Sequence, residues 1–372
     1  YQTSHPKSDG AVQLAPVRIN REEQALKDAG WATTVIEVER VEAPELGNFV
    51  KRAQFFRRRT KEVAAHVSHM LTMIRTPNVI IAHDIEVLPA AVRVSREWEI
   101  PLVYNAHEHW VYLIRANSVL ESVVADVLER RLVKDVAHVI TVSDSIAQRF
   151  KKMGVPTSVV YNARPESEIM TIDRREARRT LRYGDDDCVI GFIGNLNLLL
   201  RHDRPAEMIL DAMASLPHVK WLVVGGPNED ADELRALARS KGIDSTRITV
   251  CGAMQYAELA PFYSALDIGL VPLSDIPIHN VSMGNKVFDY MARGIPLLVP
   301  KSAKDCSALV LKEHCGWTYT PDTFAMVLRQ VWETLIEHGN GRGLFGQLAF
   351  EQTYSWDVQA PGFVKMVESL CK

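Results

Sequence analysis

The chain has 372 residues, of which 47% are hydrophobic and 24% charged, and it carries a net charge of −3. This length exceeds one ordinary hydrophobic core and predicts two domains of a globular protein. The sequence contains no uninterrupted apolar run of about 18 residues, so we expect no membrane-spanning helix. The slightly acidic charge and the lack of a recognisable binding module argue against a nucleic-acid partner.

The five cysteines are odd in number and far apart in the sequence. They are Cys188, Cys251, Cys306, Cys315 and Cys371. Because no two of them form a CxxC pair, their spacing argues against a zinc site and a disulfide framework. The pattern favours a reduced, cytoplasmic compartment.

Short β-branched runs alternate with helical patterns along the whole chain. In the first half these runs lie at 32–38, 78–84, 101–107, 138–144 and 158–163. In the second half they lie at 188–194, 221–226, 247–252, 268–273 and 296–300. The runs are apolar throughout rather than alternating, which predicts strands buried on both faces. The sequence therefore predicts an α/β protein with two doubly wound, Rossmann-like parallel-sheet domains.

Polar and glycine residues follow several of the predicted strands. His83 and Asp84 end one strand, His107 ends the next, and Gly194 and Asn195 end the first strand of the second half. In parallel sheets ligands bind at the carboxyl ends of the strands, where helix N-termini also point. We expect a ligand in a cleft between two facing domains.

Four segments of the second half read VIGFIGNL, WLVVGG, ITVCGAMQYAELAPFYSALDIGLVPL and GNKVFDYMARGIPLLVP. In this order and spacing they resemble the donor-binding half of retaining glycosyltransferases of family four, which have the glycosyltransferase-B fold. The first half resembles the same family through SDGAVQLAPVRINREEQALKDAGWATTVIEV, IIAHD and YNAHEHW. The first strand and glycine loop that are typical of the family are missing or clipped before Tyr1.

The resemblance implies an acceptor-side domain followed by a domain that binds a nucleotide sugar. Apolar periodicity lapses between residues 162 and 187, so we place these domains at 1–165 and 166–353. The closing segment YSWDVQAPGFVKMVESL is similar to the family's last segment. Residues 354–372 are therefore expected to form a helix that crosses back to the first domain.

The helix predicted in GNKVFDYMARG begins beside Lys286. Unpaired backbone N–H groups, the helix dipole and this lysine together favour a diphosphate. By resemblance, Asp289 accepts hydrogen bonds from both ribose hydroxyls, in the place of a glutamate. Val281 stands where the family often has an acid that contacts the transferred sugar. The alternative is an ordinary amphipathic helix with a surface lysine and aspartate.

Two cations are expected beside the leaving diphosphate, because preorganised positive charge stabilises it. The family has an arginine and a lysine where this sequence has Asn195 and Arg201, so the resemblance assigns one cation to Arg201. Arg204 is either a substitute for the other cation or a solvated arginine. His107 stands where the family has a histidine beside the transferred sugar, and the alternative is a structural residue at a strand end.

The predicted catalytic residues are His107, Arg201 and Lys286. The predicted nucleotide-sugar contacts are Gly194, Asn195, Gly225, Gly226, Met254, Ser282, Met283, Gly284, Asn285 and Asp289. Glu108 and His109 are either a base for the acceptor hydroxyl or loop residues. We expect no essential metal and no other cofactor, because His83 and Asp84 have no third ligand nearby.

The stretch at 49–75 combines cations with aromatic residues. Within 49–61 these are Lys51, Arg52, Arg57, Arg58, Arg59 and Lys61, with Phe49, Phe55 and Phe56. Such a mixture suits an anionic membrane surface, and the alternative is a solvated helix face. A membrane contact would favour a lipid-linked acceptor, as in assembly of a cell-surface polysaccharide, and a peripheral location on the inner face of the membrane.

The function implied by the resemblance is retaining transfer of a sugar from a nucleoside-diphosphate sugar to a hydroxyl of a glycan or lipid-linked acceptor. Two other classes remain open. One is a sugar-nucleotide epimerase or hydrolase on the same fold. The other is a noncatalytic module that binds a nucleotide sugar, which the departures at Val281 and Asn195 favour.

Overall fold

The computed structural model describes residues 17–36, 49–73, 76–115, 118–201 and 203–371. The described residues divide into two compact units. The first unit holds the described residues within 1–82, 86–102 and 360–372, and the second holds those within 83–85 and 103–359. The domain limits at 1–165, 166–353 and 354–372 stay predictions.

The described residues form ten strands. They are β1 (Ile80–His83), β2 (Leu102–Ala106), β3 (His138–Thr141), β4 (Thr157–Val159), β5 (Cys188–Ile193), β6 (Val219–Val224), β7 (Ile248–Cys251), β8 (Ile268–Leu270), β9 (Leu297–Pro300) and β10 (Gly316–Tyr319).

Helices alternate with these strands. They are α1 (Val17–Asp28), α2 (Phe49–Met73), α3 (Leu88–Trp98), α4 (Trp110–Arg115), α5 (Val119–Leu132), α6 (Asp144–Lys152), α7 (Arg174–Leu181), α8 (Asn197–Leu200), α9 (Pro205–Ser215), α10 (Asn228–Ser240), α11 (Ala260–Ser264), α12 (Pro277–Val281), α13 (Asn285–Met291), α14 (Lys304–Lys312), α15 (Phe324–His338), α16 (Gly341–Ala349) and α17 (Trp356–Ser369). Within the described ranges, no helix is both long enough and apolar enough to cross a membrane.

One predicted strand is wrong over its described part. Residues 32–36 form no strand, and residues 37–38 of that prediction lie outside the described residues. The Thr33 hydroxyl donates a hydrogen bond to Glu23 over 3.0 Å, and Val35 is 41% exposed. β-branched residues fit a half-buried pleated surface, but they form a strand only where a partner strand exists.

The strands form two sheets, with orders β1-β2-β3-β4 and β10-β9-β8-β5-β6-β7. The β2–β3, β5–β6, β5–β8 and β8–β9 pairs are parallel. This confirms the predicted α/β class with two doubly wound parallel sheets. In the six-stranded sheet the chain order reverses between β5 and β8, and such a switch point is where open α/β sheets bind ligands.

Hydrophobic residues cover both faces of the six-stranded sheet. Val189 and Leu222 pack into the cluster on one face, whereas Ile190 and Trp221 pack into the cluster on the other. This alternation of neighbouring residues buries each strand on both sides. The sheet is therefore a rigid support for the groups at its carboxyl edge.

Helix α13 is fixed to β5 by one buried tyrosine. The Tyr290 hydroxyl donates to the carbonyl of Gly191 over 3.1 Å and accepts from the N–H of Ile193 over 3.2 Å. Phe288 and Met291 on the same helix are buried in the adjoining core. These contacts set the position of the side chains at the start of α13 relative to the end of β5.

Candidate active site

Two glycines bring the carboxyl ends of β5 and β6 close together. Gly194 has φ +153° and Gly225 has φ +130°, values that favour glycine. The N–H of Gly194 donates to the carbonyl of Val224 over 2.8 Å. A Cβ on Gly225 would lie 2.0 Å from the Gly194 carbonyl oxygen, and one on Gly194 would lie 2.9 Å from Lys286 Nζ. The backbone and the lysine can approach this closely only without side chains there.

Lys286 therefore lies beside the end of β5. Its Nζ lies 3.9 Å from the centre of the Phe192 ring, and it forms no ion pair with the described residues of the chain. Burial lowers the pKa of Lys286 to about 7, although Cys306 and Asp289 act in the opposite direction. A half-buried ammonium without a carboxylate partner is suited to receive an anion from solution.

Affinity for a nucleoside diphosphate is expected to fall as the pH rises above about 7. Lys286 loses its proton around that pH in the unliganded protein, and only the ammonium attracts phosphate oxygens. A bound anion raises the pKa, so affinity falls until the pH reaches the higher pKa of the complex. Calorimetric titrations over a pH series measure this effect. Lys286→Arg, which stays charged, should bind with little change over the same range, and an equal fall in both proteins would contradict the assignment.

The segment before α13 is only partly available to a ligand. Gly284 precedes the helix without a side-chain cap, and Asn285 is exposed. In contrast, the Ser282 hydroxyl donates to the carbonyl of Ile278 over 2.7 Å, and the buried Met283 contacts Cys306. Gly284, Asn285 and Lys286 are thus the residues of this segment that are least engaged by other groups of the protein.

Three further predicted contacts lie at strand ends of the same sheet. Gly226 has φ +70°, and a Cβ there would lie 3.1 Å from the side chain of Leu196. The side-chain oxygen of Asn195 accepts a hydrogen bond from the N–H of Asn197 over 3.0 Å. Met254, in the loop after β7, is 37% exposed. Gly226 thus has a steric role in the loop, whereas the side chains of Asn195 and Met254 are accessible.

Asp289 is buried in a cluster of charged and aromatic residues that the sequence reasoning missed. Its Oδ1 accepts a hydrogen bond from the Tyr256 hydroxyl over 3.0 Å and lies 3.3 Å from Arg164 Nε and 3.8 Å from Arg293 Nη1. The Arg164 guanidinium lies 3.2 Å from the centre of the Tyr256 ring. The predicted ribose contact therefore competes with three protein partners, and its role stays a prediction.

Arg201 is also paired within the protein. Its guanidinium lies 3.0 Å from a carboxylate oxygen of Glu233 and 3.3 Å from one of Asp230, both on α10. Arg204 pairs with Glu207 over 2.9 Å. A phosphate contact by Arg201 requires that it exchange these carboxylates for the ligand. Lys286 is consequently the stronger candidate of the two predicted phosphate-binding cations.

His107 follows β2 and contacts a second histidine. Its Nε2 lies 3.0 Å from Nδ1 of His83, which ends β1. Asp84, at φ +69°, accepts a hydrogen bond from the indole of Trp110 over 3.3 Å. The two strand ends thus bring both imidazoles together, an arrangement in which one ring donates and the other accepts.

The two residues after His107 differ in their suitability as a base. Burial raises the pKa of the Glu108 carboxyl to about 7, and Asp84 adds to the rise. Burial lowers the pKa of His109 to about 4, and Arg149 adds to this fall. His109 is buried and stacks on Tyr112, with 3.8 Å between ring centres. Glu108 is therefore the better candidate for accepting a proton near neutral pH.

The end of β3 is attached to the segment that leads into α13. The Ser143 hydroxyl donates to the carbonyl of Val281 over 2.8 Å, and Ser145 bonds through its hydroxyl and its N–H to Asp305 over 2.5 and 3.2 Å.

Among the described residues no three histidine, cysteine or acidic side chains are grouped as metal ligands.

Comparison with known proteins agrees with this geometry. Residues 16–163 match the family model described as a glycosyl transferase 4-like domain, and residues 187–335 match the model for glycosyl transferases group 1. The fold resembles sucrose-phosphate synthase from Thermosynechococcus elongatus, with a TM-score of 0.71, 17% identity, and coverage of 95% of this chain and 92% of that one. These features define the class of glycosyltransferases with the glycosyltransferase-B fold. The chain belongs to the family-four glycosyltransferases within that class.

Two other proteins are similar to this chain. Anabaena HepE, solved in complex with UDP, has a TM-score of 0.65 and 18% identity, with coverage of 82% of this chain and 80% of that one. A D-inositol 3-phosphate glycosyltransferase of Mycobacterium tuberculosis is 27% identical over 215 residues, which cover 54% of this chain. The match spans 42% of that relative's length.

Proposed function

We propose that the protein is a retaining glycosyltransferase that moves a sugar from a nucleoside-diphosphate sugar to a hydroxyl of a glycan or lipid-linked acceptor. The observation that carries this proposal is the position of the Lys286 ammonium. It lies beside Gly194, at the carboxyl end of β5 and at the switch point of the sheet. The UDP bound to the structural neighbour HepE supports a uridine nucleotide as the first donor to test.

Each predicted catalytic residue has a distinct task in this reaction. Lys286 neutralises charge on the leaving diphosphate, and Arg201 adds a second cation after it leaves Glu233 and Asp230. His107 contacts the transferred sugar, and Glu108 is the candidate base for the acceptor hydroxyl. The expected donor contacts also include the exposed Asn285.

Transfer is expected to survive EDTA, because we propose that side-chain cations and backbone N–H groups stabilise the leaving group without a metal. Donor turnover measured before and after chelation tests this. Loss of activity that Mn²⁺ or Mg²⁺ restores would overturn the proposal of a metal-independent reaction. The nucleotide affinity is measured in parallel. If chelation abolishes transfer but leaves this affinity unchanged, the metal is catalytic, and if both are lost, the metal is structural.

Two alternative functions remain open, and one of them has specific support. Val281 and Asn195 stand where the family has functional side chains, and Arg201 is paired with carboxylates, which favours a noncatalytic binding module. An epimerase or hydrolase of the same fold would consume donor without an acceptor. Release of nucleoside diphosphate, followed with and without glycan or lipid acceptors, distinguishes these functions. A transferase requires acceptor, and NMR of its product then reports whether the anomeric configuration is retained.

We further propose that the protein acts in the cytoplasm, peripherally at the membrane, in polysaccharide assembly. Helix α2 carries the predicted basic stretch at 49–61, and within it Arg57 and Arg58 are exposed. Arg58 pairs with Glu62 over 3.2 Å. The side chains at 49–53 and 56 lie outside the described residues. Vesicle binding of a variant with glutamine at Arg57, Arg58 and Arg59 distinguishes a membrane contact of α2 from a solvated helix face.

A further inference from the structure

Helix α5 exposes a large aliphatic surface that the proposed reaction does not use. Six of its side chains are between 42% and 64% exposed: Val119, Leu120, Val123, Val124, Val127 and Leu128. Exposed aliphatic residues are ordinary when scattered singly, but a contiguous group of them on one helix indicates a contact surface. The surface belongs to the second compact unit.

The exposed residues of α5 occupy one side of the helix. With 3.6 residues per turn, the six aliphatic positions and the following Arg130 and Arg131 fall within roughly half of the helix circumference. Ser122, Ala125 and Glu129 lie on the opposite side and are buried. The helix therefore packs through its small and polar residues and presents its valines and leucines to the outside.

Positive charge adjoins this aliphatic face. Arg130, Arg131 and Lys134 are exposed at its carboxyl-terminal end. The buried Glu129 lies on the opposite side of the helix and pairs with Arg149. Glu121 and Asp126 lie at the two margins of the exposed half, where Asp126 pairs with Arg130 over 2.7 Å and with Arg149 over 2.6 Å. The exposed half of the helix is therefore first aliphatic and then cationic, with carboxylates at its margins and Arg130 paired with one of them.

We propose that α5 docks on an anionic lipid bilayer. Its valines and leucines would enter the boundary between head groups and acyl chains, and Arg131 and Lys134 would contact lipid phosphates. A second copy of the chain fits this surface less well. Antiparallel α5 helices would place the cations of each over the aliphatic start of the other, and parallel helices would place cations against cations.

Flotation of the full chain with vesicles tests this surface. Binding should be greater to vesicles of phosphatidylcholine with phosphatidylglycerol than to phosphatidylcholine alone, and it should fall with added salt. The double variant Val123→Ser with Val127→Ser should bind at least about tenfold more weakly. Arg131→Gln with Lys134→Gln should lose chiefly the preference for the anionic lipid.

Two control variants define what is specific to α5. Met326 and Ile336 on α15 are 54% and 65% exposed, so Met326→Ser with Ile336→Ser removes aliphatic surface elsewhere and should leave binding unchanged. Replacing Arg57, Arg58 and Arg59 with glutamine tests α2 separately. Unchanged circular dichroism and thermal midpoints would show that the α5 variants are folded, and Val119→Ser with Leu120→Ser provides a second pair.

Three outcomes would overturn the docking of α5. In the first, the wild-type chain ignores anionic vesicles at low salt. In the second, both serine pairs on α5 bind vesicles as well as the wild type does. In the third, light scattering shows a dimer that the serine pairs dissociate while vesicle binding persists, so that a second copy covers the surface. Binding is measured without donor, so these outcomes are independent of transfer activity.

Discussion

Replacing Lys286 with alanine is expected to weaken the binding of a nucleoside diphosphate by roughly ten- to a hundredfold and to slow transfer at least as much. The loss of one charged hydrogen bond to a phosphate costs about 1.5 to 3 kcal/mol. Calorimetry with the nucleotide and donor turnover are the two measurements. Arg201→Ala should also weaken both, but less, because Arg201 must first leave its carboxylate partners.

The stability of the Lys286 variant separates a binding role from a structural one. The pKa of Lys286 is about 7 in the folded protein and is near 10.5 for a free lysine, so folding opposes its charged form between these values. The free energy of unfolding therefore rises with pH across this window, and the alanine variant should be no less stable than the wild type at neutral pH. Lys365→Ala, at an exposed lysine on α17, is the control. Unchanged nucleotide affinity in Lys286→Ala would remove this lysine from the site.

Replacing Asp289 with asparagine is expected to lower the free energy of unfolding by about 3 to 5 kcal/mol, the cost of breaking a buried ion pair. The change removes the negative charge that Arg164 and Arg293 face, although a side-chain oxygen remains to accept the hydrogen bond of the Tyr256 hydroxyl. Urea unfolding measures the loss. If the pairs matter, Arg164→Met combined with Asp289→Asn should cost less than the sum of the two single changes.

Binding measurements on the same variant test the predicted ribose contact. Asp289→Asn should weaken the affinity for a nucleoside diphosphate while the affinity for inorganic pyrophosphate, which has no ribose, stays unchanged. Equal weakening of both ligands would show that Asp289 acts only by positioning its surroundings. An unchanged free energy of unfolding would contradict the buried cluster itself.

The position of Lys286 could be predicted from sequence because it depends on local order along the chain. A strand that ends in Gly194 and a helix that begins beside Lys286 meet at one edge of any doubly wound sheet, and the structure places the two within contact. The apolar strands were predictable for the same reason, since burial on both faces leaves a continuous hydrophobic run. The short β10 was missed because Gly316–Tyr319 contains no such run.

The partners of Asp289 and Arg201 could not be predicted in the same way. Arg164 and Tyr256 reach Asp289 from distant parts of the sequence, and neither carries a local pattern that indicates the contact. Arg293 lies four residues after Asp289, just past the end of α13, and this spacing could have been recognised. The pairing of Arg201 with Asp230 and Glu233 depends on how α10 packs, which periodicity does not specify.

The most direct measurement is a thermal-shift series with UDP, GDP and ADP and their sugars on the wild type and on Lys286→Ala. A ligand that binds only the folded state raises the unfolding temperature. We predict a rise for one nucleoside diphosphate and its sugar in the wild type, and a much smaller rise in the variant. If no nucleotide stabilises the wild type, or if the variant is stabilised equally, the assignment of Gly194, Gly225 and Lys286 to a nucleotide-sugar site is contradicted.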